Sequence, residues 1–231
     1  MKHPKELKKE DADIDSQFIM ACGRGELDKI DFFLTSDELE KHAFINAQND
    51  EGFIQACQNG KLHIVEYLLT SEKLKQHANI QADNYAGFIT ACQQGHLNVV
   101  RYLISLPNPQ LSFWQKIFLK PEIKQPIYLG FLQACSYGRL DVVKYFTDND
   151  LVNIYAKNDA ALILACQSKR ADIIQHFLYS LNYQITSDNL KNNIAPEEFK
   201  KLTANIEKRN FYLKLNENLI DKKSFNFIQK I

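Results

Sequence analysis

Gly52-Phe53-Ile54-Gln55-Ala56-Cys57-Gln58-Asn59-Gly60-Lys61-Leu62-His63-Ile64-Val65 is the stretch that decides the fold, because its parts return along the chain. Its apolar centre aligns without gaps over residues 18–22, 53–57, 88–92, 131–135 and 162–166, at steps of 35, 35, 43 and 31 residues. Self-similarity at this period marks an array whose units bury their apolar faces only against one another. All five cysteines, Cys22, Cys57, Cys92, Cys135 and Cys166, fall at one repeat position. They are therefore read as small apolar packing residues, since the spacings match no metal framework and stacked helices would hold the thiols apart. Reduced thiols of this kind fit a cytosolic compartment, the cell's own or a host's.

Glycine gives the punctuation. Gly25, Gly60, Gly95 and Gly138 each lie three residues after the repeated Cys, where a helix ending in a left-handed residue favours glycine. Gly52, Gly87 and Gly130 each precede the repeated Phe, and Gly23 alone stands outside both classes. Beyond each turn a second pattern begins, Leu62, Ile64, Val65, Leu68, Leu69 in one unit and Leu97, Val99, Val100, Leu103, Ile104 in the next. Spacings of three and four predict an amphipathic helix. Each unit is thus a short helix, a tight turn and an antiparallel second helix, and the fold class is all-α, a helical solenoid of about five units.

Composition narrows the function. The 231 residues carry 28 Lys+Arg against 28 Asp+Glu, and 45% are hydrophobic, which is enough to build a core and removes the electrostatic footprint of general nucleic-acid binding. Lys-rich pieces near Lys200, Lys201, Lys208, Arg209, Lys222 and Lys223 are interspersed with acids, so nucleic acid is not the expected partner. No apolar run reaches membrane-span length, and the first ten residues lack the apolar core of a Sec-type signal.

The recurring Ala56-Cys57-Gln58-Asn59-Gly60-Lys61-Leu62-His63-Ile64-Val65 resembles the helix-turn-helix core of ankyrin repeats. Ala43-Phe44-Ile45-Asn46-Ala47 and Ala78-Asn79-Ile80-Gln81-Ala82 are similar to that family's connecting hairpin, and residues 151–157 echo it more loosely. The family's Thr-Pro-Leu-His opening is replaced here by Glu51-Gly52-Phe53-Ile54 and Ala86-Gly87-Phe88-Ile89, so its usual Thr/His ties are expected to be missing and the apolar seam to carry more of the stability. Residues 35–43 and 70–78 add a segment with capping-box chemistry, read as a short third helix. This elaborated pattern resembles ankyrin proteins of intracellular bacteria, which implies a virulence effector working in host cytosol and exported without a Sec-type signal.

The expected organisation is a polar lead-in over residues 1–15, an ankyrin-type array over 16–180 with an insert at 105–130 between the third and fourth units, and a helical cap and tail over 181–231. The insert holds four of the six prolines and the only tryptophan. Trp114 shares a helical face with Leu111, Ile117 and Phe118, either packed on the array or serving as an anchor for a partner. In the last unit Lys169 stands where the others place glycine, a departure expected of a terminal repeat. Pro196, Glu197 and Glu198 open a capping helix with Phe199, Leu202 and Ile206 inward.

No phosphate loop, metalloprotease or nucleophile-elbow motif occurs. His42 and His77 are repeat equivalents, and His63 and His96 follow the turns on the polar side. The protein is therefore read as no enzyme, with no catalytic residues, no metal and no cofactor. The family resemblance instead implies recognition along a concave strip of hairpin tips and first helices. By register the strip contains Gln48, Asn49, Asp50, Gln55, Gln58 and Asn59, then Asp83, Asn84, Tyr85, Thr90, Gln93 and Gln94. It continues with Tyr128, Gln133, Ser136, Tyr137, Tyr155, Lys157 and Asn158. Amides punctuated by Tyr suit a protein or peptide partner, bound by a monomer. The alternative is an effector whose insert or C-terminal segment carries an activity that the repeats merely target.

Overall fold

The computed structural model describes residues 4–106, 124–181 and 188–228, with side chains described for 14–106, 125–181, 190–211 and 214. Two compact units divide the chain, Met1–Val152 and Asn153–Ile231. The described residues are helical with no strand among them, and the fold is an all-α helical repeat solenoid.

The first unit contains α1 (Pro4–Arg24), α2 (Leu27–Thr35), α3 (Ala47–Gln58), α4 (Leu62–Thr70), α5 (Ala82–Gln94), α6 (Leu97–Ser105), α7 (Lys124–Tyr137) and α8 (Leu140–Asp148). Odd-numbered helices stack as an inner row, α1 on α3 on α5 on α7, while α4, α6 and α8 form an outer row behind them. The repeated apolar positions make the seam: Phe18, Phe53, Phe88 and Phe131 are each 0–1% exposed, and the column of thiols beside them is buried. Each such ring contributes about 1.5–3 kcal/mol of burial. Phe146 of α8 closes on two rings of this column, edge-on to Phe131 at 5.9 Å and to Phe88 at 6.4 Å.

The two glycine classes prove physically different. At the turns the backbone demands glycine, as at Gly95 with φ of 85°. Gly87 has no such φ; it sits on α5 where an added Cβ would lie 2.7 Å from the ring of Phe53 and 3.2 Å from the thiol of Cys57. The absence of a side chain is what lets successive inner helices approach over the Phe column.

Residues 35–43 and 70–78 do not form the expected third helix. In each, the serine that follows the outer helix takes an extended conformation and closes a small turn: the Ser36 hydroxyl accepts from Glu38 N–H at 3.2 Å and that of Ser71 from Lys73 N–H at 3.4 Å. His42 and His77 then reach back to the carbonyls of Ser36 and Ser71, both at 3.0 Å. Serine competing for backbone donors, with an imidazole stapling the loop, favours a turn over a helical one.

The second unit contains α9 (Ala156–Gln167), α10 (Ala171–Gln175) continuing into a π turn (His176–Ser180), α11 (Asp188–Asn193) and α12 (Pro196–Ile228). Lys169 takes φ of 56°, the left-handed turn conformation that the other units give to glycine. The π turn is held by Arg209, only 5% exposed, which donates to the Leu178 carbonyl at 2.7 Å and to Asn210 Oδ1 at 2.7 and 3.1 Å. Widening the helix at this point frees a carbonyl, and the guanidinium satisfies it. Leu202 and Ile206 of α12 are buried, as are Leu190 and Ile194, and Gln167 donates to the Asn193 carbonyl at 2.9 Å.

Candidate interaction surface

The hairpin tips hold the most unusual backbone in the protein. Gln48, Asn49 and Asp50 have φ of 51°, 60° and 62°; Asp83, Asn84 and Tyr85 have 45°, 54° and 67°; Lys157, Asn158 and Asp159 have 51°, 57° and 65°. Three consecutive non-glycine residues thus wind left-handed before the right-handed helix begins, and each turn closes with a bond from its third N–H to the carbonyl four residues back. Left-handed winding costs L-residues roughly 1–2 kcal/mol each, and asparagine, central in all three tips, tolerates it best. These turns point outward: the first two residues of each tip are exposed.

The third residue turns inward. Asp50, expected on the strip, is 4% exposed; its Oδ1 accepts from Asn46 Nδ2 at 2.6 Å and from the backbone N–H of Asn79 in the next unit at 2.9 Å. One repeat earlier, Asp15 Oδ1 accepts from Phe44 N–H at 2.8 Å in the same way. Asp50 therefore belongs to the scaffold, because a buried carboxylate is retained only where donors meet it. Tyr128 is likewise removed from the surface: it is 7% exposed and packs on Phe131 with ring centroids 6.2 Å apart.

The remaining strip residues of the first unit are accessible. Gln48, Asn49, Asn59, Asp83, Asn84 and Tyr137 are exposed, and Gln55, Gln58, Tyr85, Thr90, Gln93, Gln94, Gln133 and Ser136 are half-buried. Some are already committed internally: Gln55 donates to Glu51 at 2.7 Å, Asn59 to the Gln55 carbonyl at 2.9 Å and Thr90 to the Ala86 carbonyl at 2.8 Å. Partial burial pushes the Tyr85 hydroxyl pKa up. Met20, 49% exposed, and Arg24 occupy the registers of Gln55 and Asn59 one unit earlier and extend this row; the repeat spacing alone identifies them. In the second unit Tyr155, Lys157 and Asn158 are exposed. Trp114, the expected anchor of the insert, lies outside the described residues.

In place of the family's Thr/His ties, other residues make polar bonds from repeat to repeat. At the turns, His63 donates to the Gly25 carbonyl at 3.1 Å, His96 to the Gln58 carbonyl at 2.9 Å, and Arg139 Nε to the Gln93 carbonyl at 2.8 Å. Hence His63 and His96 are inter-repeat tethers. On the outer row a tyrosine recurs: Tyr67 donates to Asp31 Oδ1 at 2.5 Å, and Tyr145 lies under the Arg101 guanidinium at 5.2 Å. The bond from Tyr67, with Lys73 at 3.1 Å on the other oxygen, holds the Asp31 pKa below its usual value. Burial pushes all five thiol pKa values up, that of Cys166 to about 12, so they are inert packing groups. Among the described residues no cluster of three or more His, Cys, Asp or Glu is arranged to hold a metal, and no helix is long and apolar enough to cross a membrane.

Stacked helix-turn-helix units with projecting tips define a repeat scaffold for protein interaction. The family model described as ankyrin repeats, in three copies, matches residues 9–112 and supports an ankyrin-repeat protein. Ankyrin repeats are generally noncatalytic scaffolds and indicate a protein-protein interaction module. No curated protein matches the chain.

Proposed function

We propose that the protein captures a protein or peptide partner along the strip of hairpin tips and inner helices, presenting it on a rigid surface without chemistry. The observation that carries this is the tip backbone: in three hairpins, strained left-handed residues hold exposed side chains outward, and those of Gln48, Asn49, Asp83 and Asn84 make no hydrogen bond among the described residues. Strain of this kind persists where the surrounding structure over-determines it, and it clusters at binding surfaces. The unclaimed polar side chains at the tips supply directional bonds, and the exposed Tyr137 at the turn end of α7 supplies an aromatic anchor. The five unpaired thiols support work in a reducing compartment, and the effector resemblance proposes host cytosol as that compartment.

The test is affinity capture with the wild-type chain, a Tyr137→Glu/Asn84→Lys variant and a Phe32→Ala control on the outer row, each with an unchanged circular-dichroism spectrum. A protein held by wild type and by Phe32→Ala but lost by the strip variant is the expected result. Capture insensitive to the strip variant would exclude this surface.

A further inference from the structure

The turn edge of the first unit carries positive charge that the protein itself leaves uncompensated. Gly25, Gly60 and Gly95 are each covered by a side chain from the following repeat. A Cβ on Gly25 would lie 3.0 Å from Lys61 Cδ and 3.3 Å from the His63 ring, one on Gly60 would lie 2.5 Å from the His96 ring, and one on Gly95 would lie 2.9 Å from Arg139 Cδ. Lys61, His96 and Arg139 thus rest along successive turns, their stems seated where the preceding unit has no side chain, beside the strip residues Asn59, Gln94 and Tyr137. Arg24 adjoins Gly25, so Arg24 and Lys61 form one positive pole at the first turn, and Arg139 forms another at the third.

None of these three cations has a carboxylate partner among the described residues. Glu26, the acid beside the first pole, is already paired with Lys29 at 3.0 Å. Arg139 spends only Nε on the Gln93 carbonyl, which leaves both terminal nitrogens of its fork unclaimed. The half-buried stems of Lys61 and Arg139 limit the entropy lost when their heads engage a carboxylate, while Arg24 is exposed.

Resting on the interaction-module reading above, we infer that this edge selects an acidic segment of the partner, running extended along the turns with carboxylates at two positions matched to the two poles. The spacing follows from packing. Successive packed helices lie about 10 Å apart, so poles two units apart are roughly 20 Å apart, and an extended chain rising about 3.3 Å per residue spans that in about six residues. Between the poles the partner meets the amides of Asn59 and Gln94, so charge placement matters as well as total charge. A nucleic acid, with continuous charge, would gain from two poles only, while Asp83 and Glu51 flank the same unit.

The probe is a fluorescein-labelled serine-rich peptide with glutamates at two positions about six residues apart, compared with an isomer in which they are adjacent, a glutamine analogue and oligo-thymidine. Binding to the full chain is read by anisotropy at low ionic strength, where exposed charges are least screened. The spaced peptide should bind about tenfold tighter than its isomer, and Lys61→Glu should remove that advantage with the melting curve unchanged. Arg139→His, read at about pH 8, removes the second charge while retaining a ring able to donate to the Gln93 carbonyl as His96 does one unit earlier, and should also remove it. Equal binding of the two isomers, indifference to both variants, or tighter binding of oligo-thymidine would overturn the inference. If the captured partner is lost with Tyr137→Glu/Asn84→Lys but kept with Lys61→Glu, the inference fails and the strip stands.

Discussion

Gly87→Ala and Gly23→Ala make the same chemical change on two inner helices and should move stability in opposite directions. In a right-handed helix, alanine is favoured over glycine by about 1 kcal/mol, because glycine loses more backbone freedom on folding. At Gly23 the added Cβ meets nothing nearer than Asn59 Nδ2 at 3.5 Å and Gln55 Cβ at 3.6 Å, ordinary contact distances, so that gain is kept. At Gly87 the Cβ would sit 2.7 Å from Cε1 and 3.2 Å from Cδ1 of Phe53, a ring only 1% exposed and unable to swing away. Overpacking a close-packed core costs about 1–3 kcal/mol, which outweighs the helix-propensity gain. The expected results are a loss of about 1–2 kcal/mol for Gly87→Ala and a gain of about 0.5–1 kcal/mol for Gly23→Ala, read from urea unfolding followed by circular dichroism. A cycle identifies the contact: in a Phe53→Leu background the shorter side chain withdraws the ring edge, and the cost of Gly87→Ala should fall by about 1 kcal/mol. If Gly87→Ala stabilises as Gly23→Ala does, or its cost ignores Phe53→Leu, the packing account of the second glycine class is wrong.

Three further outcomes follow from the same structure. Cys92→Ser places a hydroxyl where burial is complete, and should cost about 1–3 kcal/mol in denaturant unfolding with the fold retained. Asp50→Ala removes the acceptor of Asn46 and Asn79 and puts a β-carbon without a polar group into a left-handed turn; about 2–3 kcal/mol should be lost, whereas exposed Gln48→Ala should stay near neutral in the same assay. Because the folded-state pKa of Asp31 is depressed, its contribution is present above the unfolded carboxylate value near pH 4 and is lost as pH falls through the lower folded value. Asp31→Asn should therefore flatten the acid limb of the stability profile below about pH 4, and an unaltered limb would show that the bonds from Tyr67 and Lys73 add nothing.

What the sequence determined was everything that periodicity can encode. Two residue positions, one used five times for cysteine and the other four times for phenylalanine, specify stacking, and glycine placement specifies where each helix must stop, because those constraints are local or repeat with the unit. The register also anticipates the exposure of most residues of the proposed strip, and the same spacing extends that row to Met20 and Arg24. The tertiary structure decided which polar residues face the neighbouring unit. Asp50 and Tyr128, expected on the strip, share one register with half-buried Tyr85 and buried Asp159, and that register faces inward because its surroundings come from chain a repeat away. His63, His96 and Arg139 have the composition of a solvated turn, and only stacking shows that each finds a carbonyl of the preceding unit. The tips needed the structure most: Gln48-Asn49-Asp50, Asp83-Asn84-Tyr85 and Lys157-Asn158-Asp159 share one left-handed winding with little sequence in common, because the conformation is imposed by anchored helices on either side and the side chains merely tolerate it.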